Sequence, residues 1–566
     1  MEPLKIVDYI LSFEFFCLCG GSLFLISSAF VNEHITPKWY CAIFCASVLL
    51  LTILFRSKKY MSTEKLLSVF CILIGVLISL QAVFGILQFV GVFTGGDVFR
   101  VTGSFDNPAG FSACLCAGFP FLFYYRTKKY TWQRWIFLLA IIVTTIAVAL
   151  SASRAGIMSL IVVSLFVLFS RIQIQVKKKM IVGVVAVVIV LSGLYLLKKD
   201  SADGRLLIWR CSWEMIKDKP LLGHGHGGFK ANYMNYQADY FEKYPDSRYA
   251  MLADNVNSPF NEYLLLLVDY GFVGFILFFV ICWFLWKSFL LCKQEHEARL
   301  AAGCLLSIAV FSLFSYPLRY PFVWIIGMIS IFIILYKSKR IARFDKFIIR
   351  GKRSYFFGLI LVILLGICQL TWKRMSAEME WCHIAHQSLW GKTKQMLSQY
   401  NHLHKSLTNN ELFLYNYAAE LNVATDYAKS LQIARECERL LADYDLQMLI
   451  ADNCQELQRY TEAEDHYRKA AAMCPVKFVP LYKLAKLYEG RGDKSQAQAI
   501  AEVVLTKKVK ILSPTIVTIQ KEMRQLMERD KNDPETPCRA NDKPFTIQPR
   551  QEKVSEARST GALLPP

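Results

Sequence analysis

Eleven apolar runs, each close to the length needed to cross a bilayer, constrain this chain more than any other feature. They fall at about residues 7–31, 38–55, 66–93, 109–125, 135–151, 155–170, 180–197, 261–286, 300–318, 321–336 and 354–372. A span takes about 20 residues as helix, because hydrocarbon offers no partner to backbone N–H and C=O groups. The expected fold is therefore all-α: a polytopic helical bundle over residues 1–372. Pro120 inside the fourth run and the close spacing of the fifth and sixth make these the weakest members. Composition agrees, with 54% hydrophobic and 19% charged residues, less charge than a soluble chain of 566 residues would carry. The first run is long, contains Glu14 and lacks a small-x-small cleavage site, so it reads as a retained span.

Charge placement orients the bundle. Arg56, Lys58, Lys59 and Lys65 follow the second run, and Arg126, Lys128, Lys129 and Arg134 follow the fourth. Arg171 and Lys177 to Lys179 follow the sixth, and eight Lys and Arg between Lys337 and Arg353 follow the tenth. The opposite short loops carry little beyond Lys38, Arg100, Arg154 and Arg319. The positive-inside rule then gives a cytoplasmic N-terminus and an extracytoplasmic C-terminal region. The net charge of +20 reads as this topology signal and as contact with anionic membrane lipid, not as nucleic-acid binding. Most of the 17 cysteines lie in apolar runs, and the chain has no CxxC.

After Trp372 the composition turns polar and the apolar residues take helical spacing. Ala451 and Ala485 are 34 apart, as are Ala463 and Ala497. Leu484-Ala485, Tyr488, Gly492-Asp493 and Ala497 form one pattern; Tyr460, Ala463, Tyr467, Ala470 and Pro475 form the second half of the unit before it. A weaker unit begins near Glu411. The pattern resembles tetratricopeptide repeats, which implies an α-solenoid near 411–514 within a helical domain at 373–529. Such a stack implies a surface for an envelope protein partner, or a plain solenoid without one. Residues 530–566 are polar and Pro-containing and read as a disordered tail.

The large polar segment 198–260 sits between apolar runs and gathers unusual chemistry. Arg205 and Arg210 bracket Trp209, and His224 and His226 lie in PLLGHGHGGF. Arg100 opens RVTGSFDNPAGF, Arg154 lies in SASRAG, and Asp269 interrupts the eighth run. Arginine keeps its charge and presents a fork of donors that suits phosphate oxygens. Arginines meeting at the outer mouth of a bundle would grip a pyrophosphate. Each also has a simpler reading. Arg100 and Arg154 can anchor helix ends at head-group level, Arg205 or Arg210 can pair with Asp203 or Glu214, and the histidines can belong to a flexible glycine turn. The HxH pair lacks further ligands at metal spacing, so no metal is expected. Asp269 is expected to face the bundle interior near Gly271 and Gly274, where helices pack closely.

Five pieces in order resemble the O-antigen ligase and polymerase superfamily, which includes bacterial O-oligosaccharyltransferases. They are Arg100-x-x-Gly103-x-Phe105-x-Asn107-Pro108, Ser153-Arg154-Ala155-Gly156, Gly204-Arg205-x-x-x-Trp209, Pro220-Leu221-Leu222-Gly223-x-Gly225-x-x-x-Phe229, and Asn261-Glu262-Tyr263-Leu264 running into Asp269-x-Gly271. The resemblance covers roughly 65–335. It implies transfer of a glycan from a polyprenyl-pyrophosphate donor, at the outer face of the bacterial inner membrane, without metal or other cofactor. The acceptor it implies is lipid A core, another glycan or a protein hydroxyl. Arg154 matches the family arginine after the fifth or sixth span, and Arg205 matches the loop arginine. Catalytic roles are expected for Arg154, Arg205, His226 and Glu262, and substrate-binding roles for Arg100, Asn107, Arg210 and His224. Phe260 stands where family members commonly carry a histidine, so the base expected there is missing; His226, His224 or Glu262 are its candidate substitutes. A non-enzymatic membrane scaffold is the rival of a different class. A transporter is disfavoured by the lack of inverted internal symmetry.

Overall fold

The computed structural model describes residues 3–55, 63–95, 99–127, 131–169, 199–340 and 353–529. The seventh apolar run, at 180–197, and the tail at 530–566 lie outside the described residues. Among the described residues every regular element is helical, as the apolar runs demand. The chain divides into two compact units.

The first unit comprises residues 1–197, 260–263 and 276–379. Its helices are α1 (Pro3–Phe24), α2 (Thr36–Phe55), α3 (Thr63–Val90), α4 (Pro108–Gly118), α5 (Thr131–Leu150) and α6 (Arg154–Phe169), then part of α9 (Glu262–Cys292), α10 (His296–Ser312), α11 (Pro321–Lys337) and most of α12 (Arg353–Gln387). Phe15, Ile74, Phe111, Leu115, Phe121, Phe322 and Ile326 are fully or almost fully buried in its core. Thr36–Ile53, Glu64–Val90, Glu262–Cys292 and Gly358–Leu407 are long and apolar enough to cross a membrane. Shorter apolar helices cover Pro108–Tyr124, Arg134–Leu150, Arg154–Phe169 and Pro321–Lys337. Pro120 marks a change of helix type: α4 ends at Gly118 and a 3-10 stretch, Phe119–Thr127, takes over. Proline supplies no N–H and its ring crowds the preceding turn, so a regular helix does not run through it.

One buried cation organises the segment after α3. The ammonium of Lys38 donates to the carbonyls of Leu25, His34 and Ser104 at 2.9, 2.8 and 2.7 Å and lies over the Phe105 ring at 4.8 Å. Three carbonyls and a ring face offset the cost of burying that charge. The Gln88 side chain accepts from the N–H of Thr102 and Gly103 and donates to the Gly103 carbonyl. Residues 101–105 are thus a fixed, buried strap.

The second unit comprises residues 198–259, 264–275 and 380–566. It holds α7 (Lys199–Asp218), α8 (Gly228–Lys243), one short stretch of α9, and the helices α13 (Thr393–Leu407), α14 (Glu411–Val423), α15 (Tyr427–Glu438), α16 (Tyr444–Glu456), α17 (Tyr460–Met473), α18 (Val479–Gly490), α19 (Lys494–Thr506) and α20 (Pro514–Arg529). From α14 to α19 the helices form successive hairpins. Asn410, Asp426, Asp443 and Asp493 cap α14, α15, α16 and α19 by accepting first-turn N–H groups. Ala418, Ala434, Ala451, Ala463, Ala470 and Ala485 are fully buried where helices approach, and Tyr417 and Tyr467 fill the space between them.

The 198–259 segment packs on this stack. Lys230 pairs with Glu411 at 2.6 Å, and the Lys230 carbonyl accepts from the Ala442 N–H. The buried Gln237 amide donates to the carbonyls of Asp254 and Met473. Asn255 donates to the Asp443 carboxylate and accepts from the Tyr444 N–H. A bilayer core is about 30 Å thick, so segments in such contact occupy one face of a membrane. Cysteines placed at Asp246 and Gln432 will therefore react with an impermeant maleimide from the same side of sealed vesicles. Labelling from opposite sides would refute this packing.

Candidate functional site

The PLLGHGHGGF sequence and the Asp269-x-Gly271 sequence are two halves of one interlock. At Gly271 the backbone of α9 leaves helical geometry, with φ 61° and ψ −164°, a region open in practice only to glycine. The break frees N–H groups to turn outward: Phe272 donates to the Pro220 carbonyl at 2.8 Å and Val273 to Leu221 at 3.1 Å. In return His224 donates to the Val268 carbonyl and Gly225 to that of Asp269. A Cβ on Gly271 would stand 2.3 Å from the Leu221 oxygen, and one on Gly223 would stand 2.5 Å from the Asp269 carbonyl. Both glycines are required by contact as well as by φ.

Asp269 completes the interlock. Its carboxylate accepts the N–H of Gly227 at 3.1 Å and of Phe229 at 2.9 Å. These are first-turn donors at the start of α8 that have no partner within the helix, and the N-cap residue, Gly227, has no side chain to cap with. Asp269 caps that helix from another part of the chain, and its charge opposes the positive helix end. The expectation that Asp269 faces the bundle interior near Gly271 and Gly274 is thereby corrected. Asp269 is buried, but it is the glycine loop that buries it.

The two histidines differ. His224 Nε2 lies 2.9 Å from the Met215 carbonyl, tying the loop to α7. That nitrogen must carry a hydrogen to make the contact, so His224 is built into the loop. His226 is exposed, with Nδ1 held at 2.9 Å from the Tyr270 hydroxyl. Arg205 and Arg210 sit on α7, half-buried and exposed respectively. Arg210 lies over the rings of Tyr240 and Tyr244, at 5.4 and 5.6 Å. The Trp209 indole donates to the Pro259 carbonyl at 3.0 Å and closes the segment on itself. Glu214 pairs with Lys217 at 2.9 Å.

In the first unit, Arg154 begins α6. Ser153 accepts from the Gly156 N–H, and Gly156 lies against Ser112 so closely that a Cβ would stand 2.9 Å from it. The motif thus fixes the backbone on both sides of a partly exposed arginine. Arg100 is exposed and lies over the Phe89 ring at 4.5 Å. Asn107 caps α4 through its carbonyl, while its amide group reaches the hydroxyls of Tyr320 at 3.1 Å and Tyr316 at 3.5 Å. Glu262 accepts from the Leu318 N–H at 3.1 Å. Phe260, in place of the expected histidine, adopts φ 53°, a strained value for a residue with a Cβ. Its ring lies 5.4 Å from that of Tyr316. Arg319 faces Asp106 at 3.7 Å.

Asn107, Phe260 and Glu262 thus converge on the Tyr316–Tyr320 turn, which sequence reasoning passed over. Its signal was the aromatic and proline pattern SYPLRYP between two apolar helices. Arg100, Arg154, Asn107 and Glu262 belong to the first unit, and Arg205, Arg210, His224 and His226 to the second.

Residues 138–279 match the Wzy_C family, O-antigen ligase. The match supports the O-antigen ligase superfamily for this part of the chain, and with it a role in glycosyl transfer at a membrane. The matched region contains Arg154, both loop arginines, both histidines, Glu262 and the whole Asp269 interlock; it does not extend to Arg100, Asn107 or the helical hairpins. No curated protein matches the chain.

Replacing Asp269 with Ala strips two N–H groups of their acceptor, the buried one of Phe229 among them, at a cost of about 1–3 kcal/mol. Gly271→Ala adds a backbone collision. Both variants will show faster proteolysis within residues 219–229 and a lower unfolding midpoint in detergent. Unchanged digestion of that segment would show that the interlock does not hold it.

Proposed function

We propose that the chain transfers a glycan from a polyprenyl-pyrophosphate carrier to an acceptor hydroxyl, at the extracytoplasmic face of the bacterial inner membrane. The observation that carries this reading is that the O-antigen ligase match spans the interlocked segment bearing Arg205 and His226. In the reaction the acceptor oxygen bonds to the anomeric carbon while the bond from that carbon to pyrophosphate breaks. Negative charge grows on the leaving group, and the acceptor proton must go to a base. Arg154 and Arg205 are assigned to the pyrophosphate, because a fixed guanidinium stabilises developing charge without rearranging. Arg100 and Arg210 add positive potential. His226 is assigned as the base: its Nδ1 is oriented by Tyr270, which leaves Nε2 as the nitrogen to receive a proton. His224 is assigned a positioning role through Met215, and Asn107 and Glu262 hold the Tyr316–Tyr320 turn.

The Lys and Arg asymmetry of the loops supports a cytoplasmic N-terminus with the loop and the hairpins outside. The 34-residue alanine and tyrosine pattern supports tetratricopeptide repeats, whose surface would receive an envelope protein or a large acceptor. An O-antigen ligase, a polymerase and a protein O-oligosaccharyltransferase share this chemistry and differ in the acceptor.

Cells lacking the protein are to be complemented with wild type, Arg154→Lys, Arg205→Lys, His226→Ala and His224→Ala. Loss of a preorganised charge contact lowers transfer about 100-fold, so both arginine variants will accumulate lipid-linked donor at normal protein level. The glycan product that disappears identifies the acceptor. Wild-type transfer in both would favour a scaffold. His226→Ala will slow transfer with an unchanged unfolding midpoint, whereas His224→Ala will lower the midpoint. The reverse pattern would exchange their assigned roles.

A further inference from the structure

The turn between α7 and α8 presents its apolar side chains outward. Leu222 is 75% and Leu221 67% exposed, beside Pro220 at the tip of an otherwise polar segment. Trp213, on the last turns of α7, is half exposed, and Leu206, seven residues earlier and so on the same helix face, is 43% exposed. Tyr270, Phe272 and Val273 are exposed to a similar degree. Lys217 and Lys219 flank the turn and are exposed. Water is a poor neighbour for such a set, and a contiguous apolar surface rimmed by cations marks an interaction face.

The backbone identifies what covers it. Phe272 and Val273 donate to Pro220 and Leu221, which fixes the turn to the residues where the apolar stretch FVGFILFFVICWFLW begins. That stretch lies in Glu262–Cys292, a helix apolar and long enough to cross a bilayer and only 17% buried within the protein. A turn bonded to the entry point of a lipid-facing span sits at the depth of that entry point. We infer that Pro220–Gly223, with Trp213, is a membrane-interface anchor whose ligand is the phospholipid bilayer itself. Leu221 and Leu222 enter the acyl boundary, Trp213 lies at the head groups, and Lys217 and Lys219 meet lipid phosphates. The anchor sets the height of α7 and of the histidine loop above the hydrocarbon. It depends on the membrane character of α9 and not on glycosyl transfer, so it can stand or fall separately from the proposed reaction.

The test uses the full chain in nanodiscs of phosphatidylcholine and phosphatidylglycerol, with the photoreactive residue benzoylphenylalanine placed singly at Leu222, Phe279 or Gln432. Phe279 lies on the exposed face of the span, and Gln432 is exposed on α15. After irradiation, mass spectrometry is expected to find phospholipid adducts at 222 and 279 and none at 432. Adducts at 279 without any at 222 would overturn the inference. So would a covalent dimer formed through 222, which would make a second copy of the chain the occupant. A probe at Trp213 provides a second reading: its lipid adducts are expected to be lost in a Leu221→Ser, Leu222→Ser background whose unfolding midpoint is unchanged. Their persistence would show that the turn does not hold α7 at the lipid.

Discussion

A single carboxylate holds the histidine-bearing segment in shape. Asp269 lies in the first turns of a long apolar helix, where a charge is costly unless it is paired or hydrogen-bonded. It finds its partners in the bare N–H groups at the start of α8. Neither side has a good alternative. Without the loop the carboxylate would stand unpartnered in an apolar helix, and without the carboxylate a glycine-capped helix would begin with open donors. This mutual dependence couples the span to the loop, and the four backbone bonds around Gly271 then follow as a short, strand-like exchange between two segments that are otherwise helical.

The motif spacing acquires a physical meaning from this arrangement. Gly223 and Gly271 each occupy the place where the other's segment would need room for a Cβ. His224 joins the same assembly through α7, leaving His226 as the exposed imidazole of the pair. Trp209 closes the base of the segment on Pro259. Residues that look like scattered signatures along the chain are therefore parts of one support, with Arg205 and His226 as side chains that it presents.

The helical character of nearly every described element was legible in the sequence, because spans and hairpins obey simple periodicities. Pro120 marked the fourth run as a weak member, and the helix changes type there. The roles of single polar residues were far less legible. Asp269 was expected to face a helix bundle, since nothing in local periodicity tells that a neighbouring glycine breaks the helix and redirects its bonds. His224 and His226 are chemically identical in sequence and are separated only by which carbonyl or hydroxyl happens to lie nearby. Lys38 was counted as a loop charge, yet it is a buried staple with three carbonyl partners. Each of these depends on contacts between residues distant in the chain, which spacing alone does not encode.

The order of synthesis gives the packing of the second unit a further meaning. Lys230 meets Glu411 across 181 residues of chain, Asn255 meets Asp443 across 188, and Gln237 meets Met473 across 236. Contacts of such long range form late, because the intervening chain must be made and threaded first. The arginine and histidine segment is therefore translated long before its supporting surface exists, and waits while the helices α9 to α17 are made. Only a chain completed through α17 can seat it. The segment is in this sense self-inspecting: its final packing reports that the chain has been made as far as Met473.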